Sequence, residues 1–356
     1  MAGGGTGGHI FPAIAIANAL KELEPDIEIL FVGAQGKMEM EKVPQAGYEI
    51  RGLDIAGYNR SSLIKNVALP YKLVKSFFQV RTIFNQFKPD AAIGVGGYSS
   101  FPVLRFAQQQ GIPTFLHESN SYAGRSNKAL AKKAVKVFVA SAGMERFFPK
   151  DKIVLSGNPV RSTIAHSHIT REQGILFYGL DPQKKTVLSI GGSLGAVSIN
   201  DAVAEQLDTF AQHGLQLLWQ TGKPYALKGK QLAQGRQNIW VSDFITQMEY
   251  AYAAADIVIS RAGAMAIAEL CVMKKPAVFV PYPFAAEDHQ TMNAMHLVQN
   301  KAGVLVKDSE AKEKLVPLIA ELSGDKTKLD ELGNNIAQMA FADADKRVAT
   351  EVLKSI

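Results

Sequence analysis

Cysteine is almost missing from this 356-residue chain: Cys271 stands alone, so no internal disulfide can form. A reducing compartment suits it, and its expected role is a small apolar filler. No apolar run reaches the roughly 18 to 20 residues that span a bilayer, and no basic region followed by an apolar segment opens the chain. A membrane-spanning or secreted protein is therefore not expected, and a cytoplasmic one is. Metal chemistry has no visible site either. Asp343-Ala344-Asp345 spells a DxD pattern, but it lies far down the chain beside the last helical stretch, where helix capping and dipole matching explain it better.

What is present is the composition of a globular protein, 47% hydrophobic and 20% charged, with a mean hydropathy of zero. The length suggests two domains. Lysine and arginine outnumber aspartate and glutamate 39 to 33, a net charge of +6. That surplus suits nucleic acid, anionic lipid headgroups or phosphorylated substrates, or a merely solvated surface, and the placement of the charge has to decide.

Five of the six residues from Gly3 to Gly8 are glycine, and the loop runs into His9 and the apolar helical stretch Ile10 to Leu20. A second such loop, Gly191 to Ala196, follows the apolar run Thr186 to Ile190 and opens another helix. Loops poor in side chains that lead into helix N-termini can bring backbone N–H groups against a phosphate. Tight strand-to-helix turns would use glycine as well. Two loops at matched positions favour phosphate binding, with two lobes sharing a diphosphate-bearing site.

Short β-branched runs alternate with amphipathic stretches: Ile27 to Val32, Ala91 to Val95, Thr114 to Leu116, Val135 to Ala140 and Ile153 to Leu155, then Val187 to Ile190, Leu215 to Gln220, Ile239 to Val241, Ile257 to Ile259 and Ala277 to Val280. The pattern predicts an α/β protein of two doubly wound, Rossmann-like domains with parallel sheets. Gly157-Asn158-Pro159-Val160-Arg161 reads as the hinge. Only Met1 and Ala2 precede the first glycine loop, which normally follows a buried strand. A misassigned start or a shortened chain is the expectation, with a central strand of the first sheet absent and the first lobe less stable for it.

The strings GGGTGGHIFPA, GVGGYSSFP, HESNSYAGRSNK, GNPVR, GGSLGA, SRAGAMAIAEL and DHQTMNA occur in this order across nearly the whole chain. Together they resemble the MurG family of bacterial N-acetylglucosaminyltransferases, which convert lipid I to lipid II in peptidoglycan synthesis. The resemblance implies a GT-B architecture with an interdomain cleft: residues 1–160 as an acceptor- and membrane-facing domain, 161–340 as the UDP-GlcNAc domain, and 341–356 as a helix returning to the first. It implies an inverting, UDP-GlcNAc-dependent transfer to the MurNAc hydroxyl of lipid I, the undecaprenyl-diphosphate-linked MurNAc-pentapeptide, with no cofactor and no metal. The setting implied is a peripheral protein on the cytoplasmic face of the cell membrane, serving cell-wall biogenesis, shape and division. Carried over by motif, the donor site takes Arg161, Ser193, Ile245, Ala264, Met265, Ala266, Ile267, Ala268, Glu269 and Gln290, with Thr6, Gly7, Gly8 and Asn120 from the first lobe.

Each residue type has a chemical reason to be there. Arg161 can fork onto diphosphate oxygens, or hold an interdomain salt bridge. Gly263 and Ala264 are expected to start a helix whose positive end faces the leaving diphosphate. Glu269, acceptor-only when ionised, suits paired ribose hydroxyls, whereas Ile245 can touch a base only through its backbone N–H and C=O. A base must take the acceptor hydroxyl proton, and a histidine's ordinary pKa suits the task. His9 is the first candidate, although it could instead orient a phosphate; His117 and Glu118 are alternatives, and His289 lies next to Gln290.

Residues 65–88 contain no acid and interleave Lys65, Lys72, Lys75, Arg81 and Lys88 with Leu73, Val74, Phe77, Phe78 and Val80. Apolar anchors rimmed by basic groups suit an anionic membrane surface. A core-facing amphipathic helix or a nucleic-acid face would share the pattern; the family resemblance favours the membrane and no nucleic acid. Competing functions are a UDP-GlcNAc 2-epimerase, which would need no lipid-facing helix, or another UDP-sugar transferase of the same fold. A dinucleotide oxidoreductase would require a clean GxGxxG with an acid about 20 residues on, and a scaffold would need no phosphate loops.

Overall fold

Parallel strands can be joined only by crossovers, and the amphipathic stretches between the β-branched runs supply them. The computed structural model describes residues 1–57, 66–192, 194–285 and 288–356. Its chain divides into two units, Met1–Arg161 with Asp343–Ile356, and Ser162–Ala342.

In the first unit β1 (Leu30–Ala34) pairs with β2 (Glu49–Leu53), while β3 (Ala92–Gly94), β4 (Thr114–Glu118), β5 (Lys136–Val139) and β6 (Ile153–Leu155) form a second ladder, all parallel. Ala2 joins the two, bridging Val32 of β1 and Gly94 of β3 in parallel register. Its N–H donates to Ile93 O at 2.7 Å and its C=O accepts from Val95 N–H at 2.9 Å. Backbone bonds of Ala2 thus occupy the place between β1 and β3 where a strand was expected to be absent. A cavity lined by Ala2, Leu30, Val32, Ile83, Phe84 and Ile93 lies beside that rung. The run from Ile27 begins its ladder only at Leu30, although Ile27 and Ile29 still touch the core.

The glycine loop feeds helix α1 (Gly7–Leu23), which buries Ile10, Ala13, Ile16, Ala17 and Leu20 at helical spacing. Val348, Ala349 and Val352 of helix Ala344–Leu353 enter the same core. Two further helices matter for the site, α2 (Glu39–Gln45) and α3 (Leu69–Phe87).

The second unit holds β7 (Lys185–Ile190), β8 (Leu215–Gln220), β9 (Ile239–Ser242), β10 (Ile257–Ser260), β11 (Ala277–Phe279) and β12 (Val304–Leu305), in the order β12-β11-β10-β7-β8-β9. The chain winds outward from β7 in one direction, then returns to its other side with β10. That reversal is where open parallel sheets bind ligands, at the carboxyl ends of the strands. Two strands lack a sequence signal: β2 interrupts its apolar residues with the exposed Glu49 and Arg51, and β12 is two residues long.

The turn after β8 is pinned from inside. Trp219, fully buried, donates its Nε1–H to Asn200 Oδ1 at 2.9 Å, and Asn200 Nδ2–H donates to Thr221 O at 2.7 Å. Asn200→Leu would leave an indole N–H and a carbonyl unpaired in the core, with an expected loss on the order of 3 kcal/mol. Urea unfolding followed by tryptophan fluorescence measures it; an unchanged midpoint would show that the pair contributes nothing.

Candidate functional site

In the first unit the glycine loop passes close against a second glycine turn. A Cβ on Gly97, whose φ is +84°, would sit 2.5 Å from Gly4 O, so side chains are barred where the two backbones meet. His9 folds back over this turn. Its Nδ1 lies 3.2 Å from Gly4 O and 3.4 Å from Thr6 Oγ1, and its ring lies against Gly96. A carbonyl only accepts, so Nδ1 carries the proton and the lone pair of the neutral ring is on Nε2. Gly7 and Gly8 form the first residues of α1 behind Thr6, whose side chain does not cap it. The loop is not a bare cradle, however, because Gly5 N–H already donates to Glu39 Oε2 at 3.0 Å. Arg161 places its guanidinium 5.3 Å from the centre of the Phe11 ring.

His117 and Glu118, the alternative bases, are both engaged by the fold. His117 is completely buried, with Nε2–H donating to Gly157 O at 3.1 Å and Ser119 Oγ 3.4 Å from Nδ1. Burial pushes its pKa down to about 4. Glu118 accepts from Gly124 N–H and Asn127 Nδ2–H, both at 2.9 Å, and from Asn120 N–H at 3.1 Å. It shapes the loop that carries Asn120.

In the second unit the loop after β7 meets the turn after β8. A Cβ on Gly195, at φ +78°, would sit 2.1 Å from Thr221 O. Ser193 of this loop lies outside the described residues. Gln220 ties the loop to the segment after β9: its Nε2–H donates to Gly192 O at 3.0 Å, and its Oε1 accepts from Ile245 N–H at 3.1 Å. Of the two backbone groups expected of Ile245, the N–H is therefore engaged within the fold.

Helix Ala264–Val272 starts after Gly263, with Ala264, Met265, Ala266, Ile267 and Ala268 half-buried along its first turns. Glu269, one turn on, is 8% exposed and accepts from Tyr252 Oη–H at 2.9 Å. Gln290 accepts from Tyr282 N–H at 2.9 Å, which orients its amide nitrogen for other partners. Glu39, Gln220 and Tyr252 were not singled out by the sequence. Each acts across a long stretch of chain, and no local pattern marks it.

Helix α3 shows a divided face. Ser76, Val80 and Phe84, four apart, are buried, so Val80 belongs to the core and not to an outer stripe; Phe77 is half-buried. Tyr71, Leu73, Val74 and Phe78 are exposed, as is Arg81. Lys72 and Lys75 both reach Asp54, at 3.1 and 2.7 Å. Hydrogen bonds from Lys75 and Lys72 hold the Asp54 carboxyl below its ordinary range. The fold thus supplies the acid that residues 65–88 lack. Lys65 lies outside the described residues. Among the described residues no helix is long and apolar enough to cross a membrane, and no group of three or more His, Cys, Asp or Glu could hold a metal. Asp343 makes no side-chain cap, contrary to the capping expected of it, and Asp345 accepts from Lys346 N–H at 2.9 Å.

The chain matches the glycosyltransferase family 28 N-terminal domain over residues 1–139 and the C-terminal domain over residues 186–348. It is 53% identical, over 99% of its length and 95% of the relative's, to the UDP-N-acetylglucosamine–N-acetylmuramyl-(pentapeptide) pyrophosphoryl-undecaprenol N-acetylglucosamine transferase of Phocaeicola vulgatus. The protein of that name from Flavobacterium psychrophilum is 46% identical over 100% of this chain and 97% of its own. Among solved structures, Acinetobacter baumannii MurG superposes with a TM-score of 0.78 at 30% identity, covering 99% of this chain and 98% of that one. The Neisseria meningitidis UDP-GlcNAc 2-epimerase reaches a TM-score of 0.69 at 13% identity over 97% of each chain, a likeness of fold alone.

The buried His117 makes a pH prediction. Unfolded, it binds a proton as pH falls below 6.5; folded, only below about 4. Stability from this group is complete above pH 6.5 and declines between 6.5 and 4, by on the order of 3 kcal/mol. Denaturant midpoints at pH 7.5 and 5 should differ more in the wild type than in His117→Asn; equal pH slopes would contradict it.

Proposed function

The chain belongs to glycosyltransferase family 28, and we propose that it transfers GlcNAc from UDP-GlcNAc to the MurNAc hydroxyl of lipid I, giving lipid II. The observation that carries this reading is end-to-end identity of 53% with a transferase named for that reaction. The acceptor hydroxyl attacks the anomeric carbon, the configuration inverts, and UDP leaves with charge building on its diphosphate. Groups fixed before the reaction stabilise that charge more in the transition state than in the ground state. We assign this to Arg161, to the glycine loops with Thr6, Gly7, Gly8 and Ser193, and to the N-terminal end of helix Ala264–Val272. Glu269, with Tyr252 on one oxygen, accepts from ribose hydroxyls, the Ile245 carbonyl meets the base, and Gln290 and Asn120 belong to the donor site. His9, with its Nε2 lone pair, removes the hydroxyl proton. The direct test is UDP release from UDP-GlcNAc with and without a lipid I analogue; release that ignores the acceptor would sink the transferase reading.

Two substitutions separate binding from chemistry. Glu269→Ala should raise the donor KM by losing hydrogen bonds worth roughly 1.5 to 3 kcal/mol each. His9→Ala should leave donor KM near the wild type and lower kcat by about 10² to 10⁴. Steady-state kinetics with both substrates varied checks each, and a His9→Ala defect confined to acceptor KM would make His9 a binding group.

A peripheral position on the cytoplasmic face of the membrane is supported by the exposed Tyr71, Val74 and Phe78 of α3 beside Lys72, Lys75 and Arg81. Asp54 offsets part of that charge, so Asp54→Asn should strengthen binding to anionic vesicles, while Lys72→Glu with Lys75→Glu should weaken it, by about 1 kcal/mol per lysine. Vesicle co-sedimentation reads both. Binding indifferent to all three would place the membrane contact elsewhere.

A further inference from the structure

Glu39 opens α2, yet it is 1% exposed. A carboxylate is withdrawn from water only where hydrogen bonds replace its hydration, and two backbone donors do so: Gly5 N–H to Oε2 and Ala34 N–H to Oε1, both at 3.0 Å. Space for it is made by glycine. A Cβ on Gly4 would lie 2.1 Å from Oε1, and one on Gly33 would lie 2.5 Å from Cγ.

The N–H that Glu39 grips and the carbonyl that receives His9 belong to one peptide. Gly5 N and Gly4 C=O are two ends of a single planar trans unit, since no cis peptide occurs among the described residues. The chain of contacts therefore runs from the carboxylate to Gly5 N–H, through the rigid plane to Gly4 O, and on to His9 Nδ1 at 3.2 Å. A charge-assisted bond at one end fixes the tilt of the plane, and polarisation along the chain makes its carbonyl a better acceptor. In Ser-His-Asp triads a buried carboxylate holds the histidine tautomer directly; here a peptide stands between.

We propose that Glu39 is a positioning residue for His9, acting through the Gly4–Gly5 peptide to keep the proton on Nδ1 and the lone pair on Nε2. This rests on His9 being the base. Glu39→Gln keeps the size but must turn an NH₂ toward one of the two N–H groups. It should lower kcat about tenfold, a fraction of the roughly 10² to 10⁴ a general base contributes, with donor KM unchanged. In a His9→Ala background the same substitution should cause no further loss. An equal loss in both backgrounds, or none in either, overturns the proposal. His9→Ala turning over like the wild type removes the base reading itself, a different outcome. Should Glu39→Gln not fold, the wild type still decides: ¹⁵N-histidine NMR, with His9 assigned by its disappearance in His9→Gln, must show the Nδ1–H tautomer, and an Nε2–H tautomer refutes the proposal.

Discussion

At the carboxyl end of each sheet, backbone runs against backbone with no room for a Cβ between them. Gly97 against Gly4 O and Gly195 against Thr221 O are the tight points, at 2.5 and 2.1 Å from where a methyl would be. A loop stripped of side chains cannot hold its own shape. The shape is imposed from neighbouring elements: Glu39 and His9 on the first loop, Gln220 and the Asn200-pinned turn on the second. In both units a buried polar side chain takes up backbone groups that water would otherwise solvate, Glu39 the Gly5 N–H and Gln220 the Gly192 C=O.

The same logic decides which polar residues remain for chemistry. His117 and Glu118 carry acid–base groups at the end of β4, but their hydrogen-bonding capacity is spent on Gly157, Gly124, Asn127 and Asn120. His9 differs in that its ring folds over the glycine turn, with Nδ1 3.2 Å from Gly4 O. On α3 the balance is electrostatic: a helix without acids acquires Asp54 from the segment after β2, and its basic character toward a surface is smaller than its composition implies.

β8 and β6 appear in the sequence with their observed ends: β8 is buried at all six positions and rich in Leu and Trp, and β6 is three apolar residues, Ile153-Val154-Leu155. The helix start after Gly263 was legible from its glycine and the apolar run behind it. What could not be read are contacts between residues far apart in sequence. Glu39 meets Gly5 across 34 positions, Gln220 meets Ile245 across 25, and Lys75 meets Asp54 across 21. The paired status of an acid or a lysine is a property of the fold, and its neighbours in the chain say nothing about it. The Ala2 rung is a similar case, since a one-residue bridge between β1 and β3 leaves no periodicity to detect.

Helix Ala344–Leu353 sits in the core of the first unit, beside α1, although the whole second unit lies between them in sequence. The core of the first unit therefore lacks some of its side chains until the last helix has been made. All of Ser162–Ala342 is synthesised before Val348 and Val352, which share a core cluster with Ile10, Ile16 and Leu20. The half of the chain that is made first is the half whose core receives its last side chains at the end of translation.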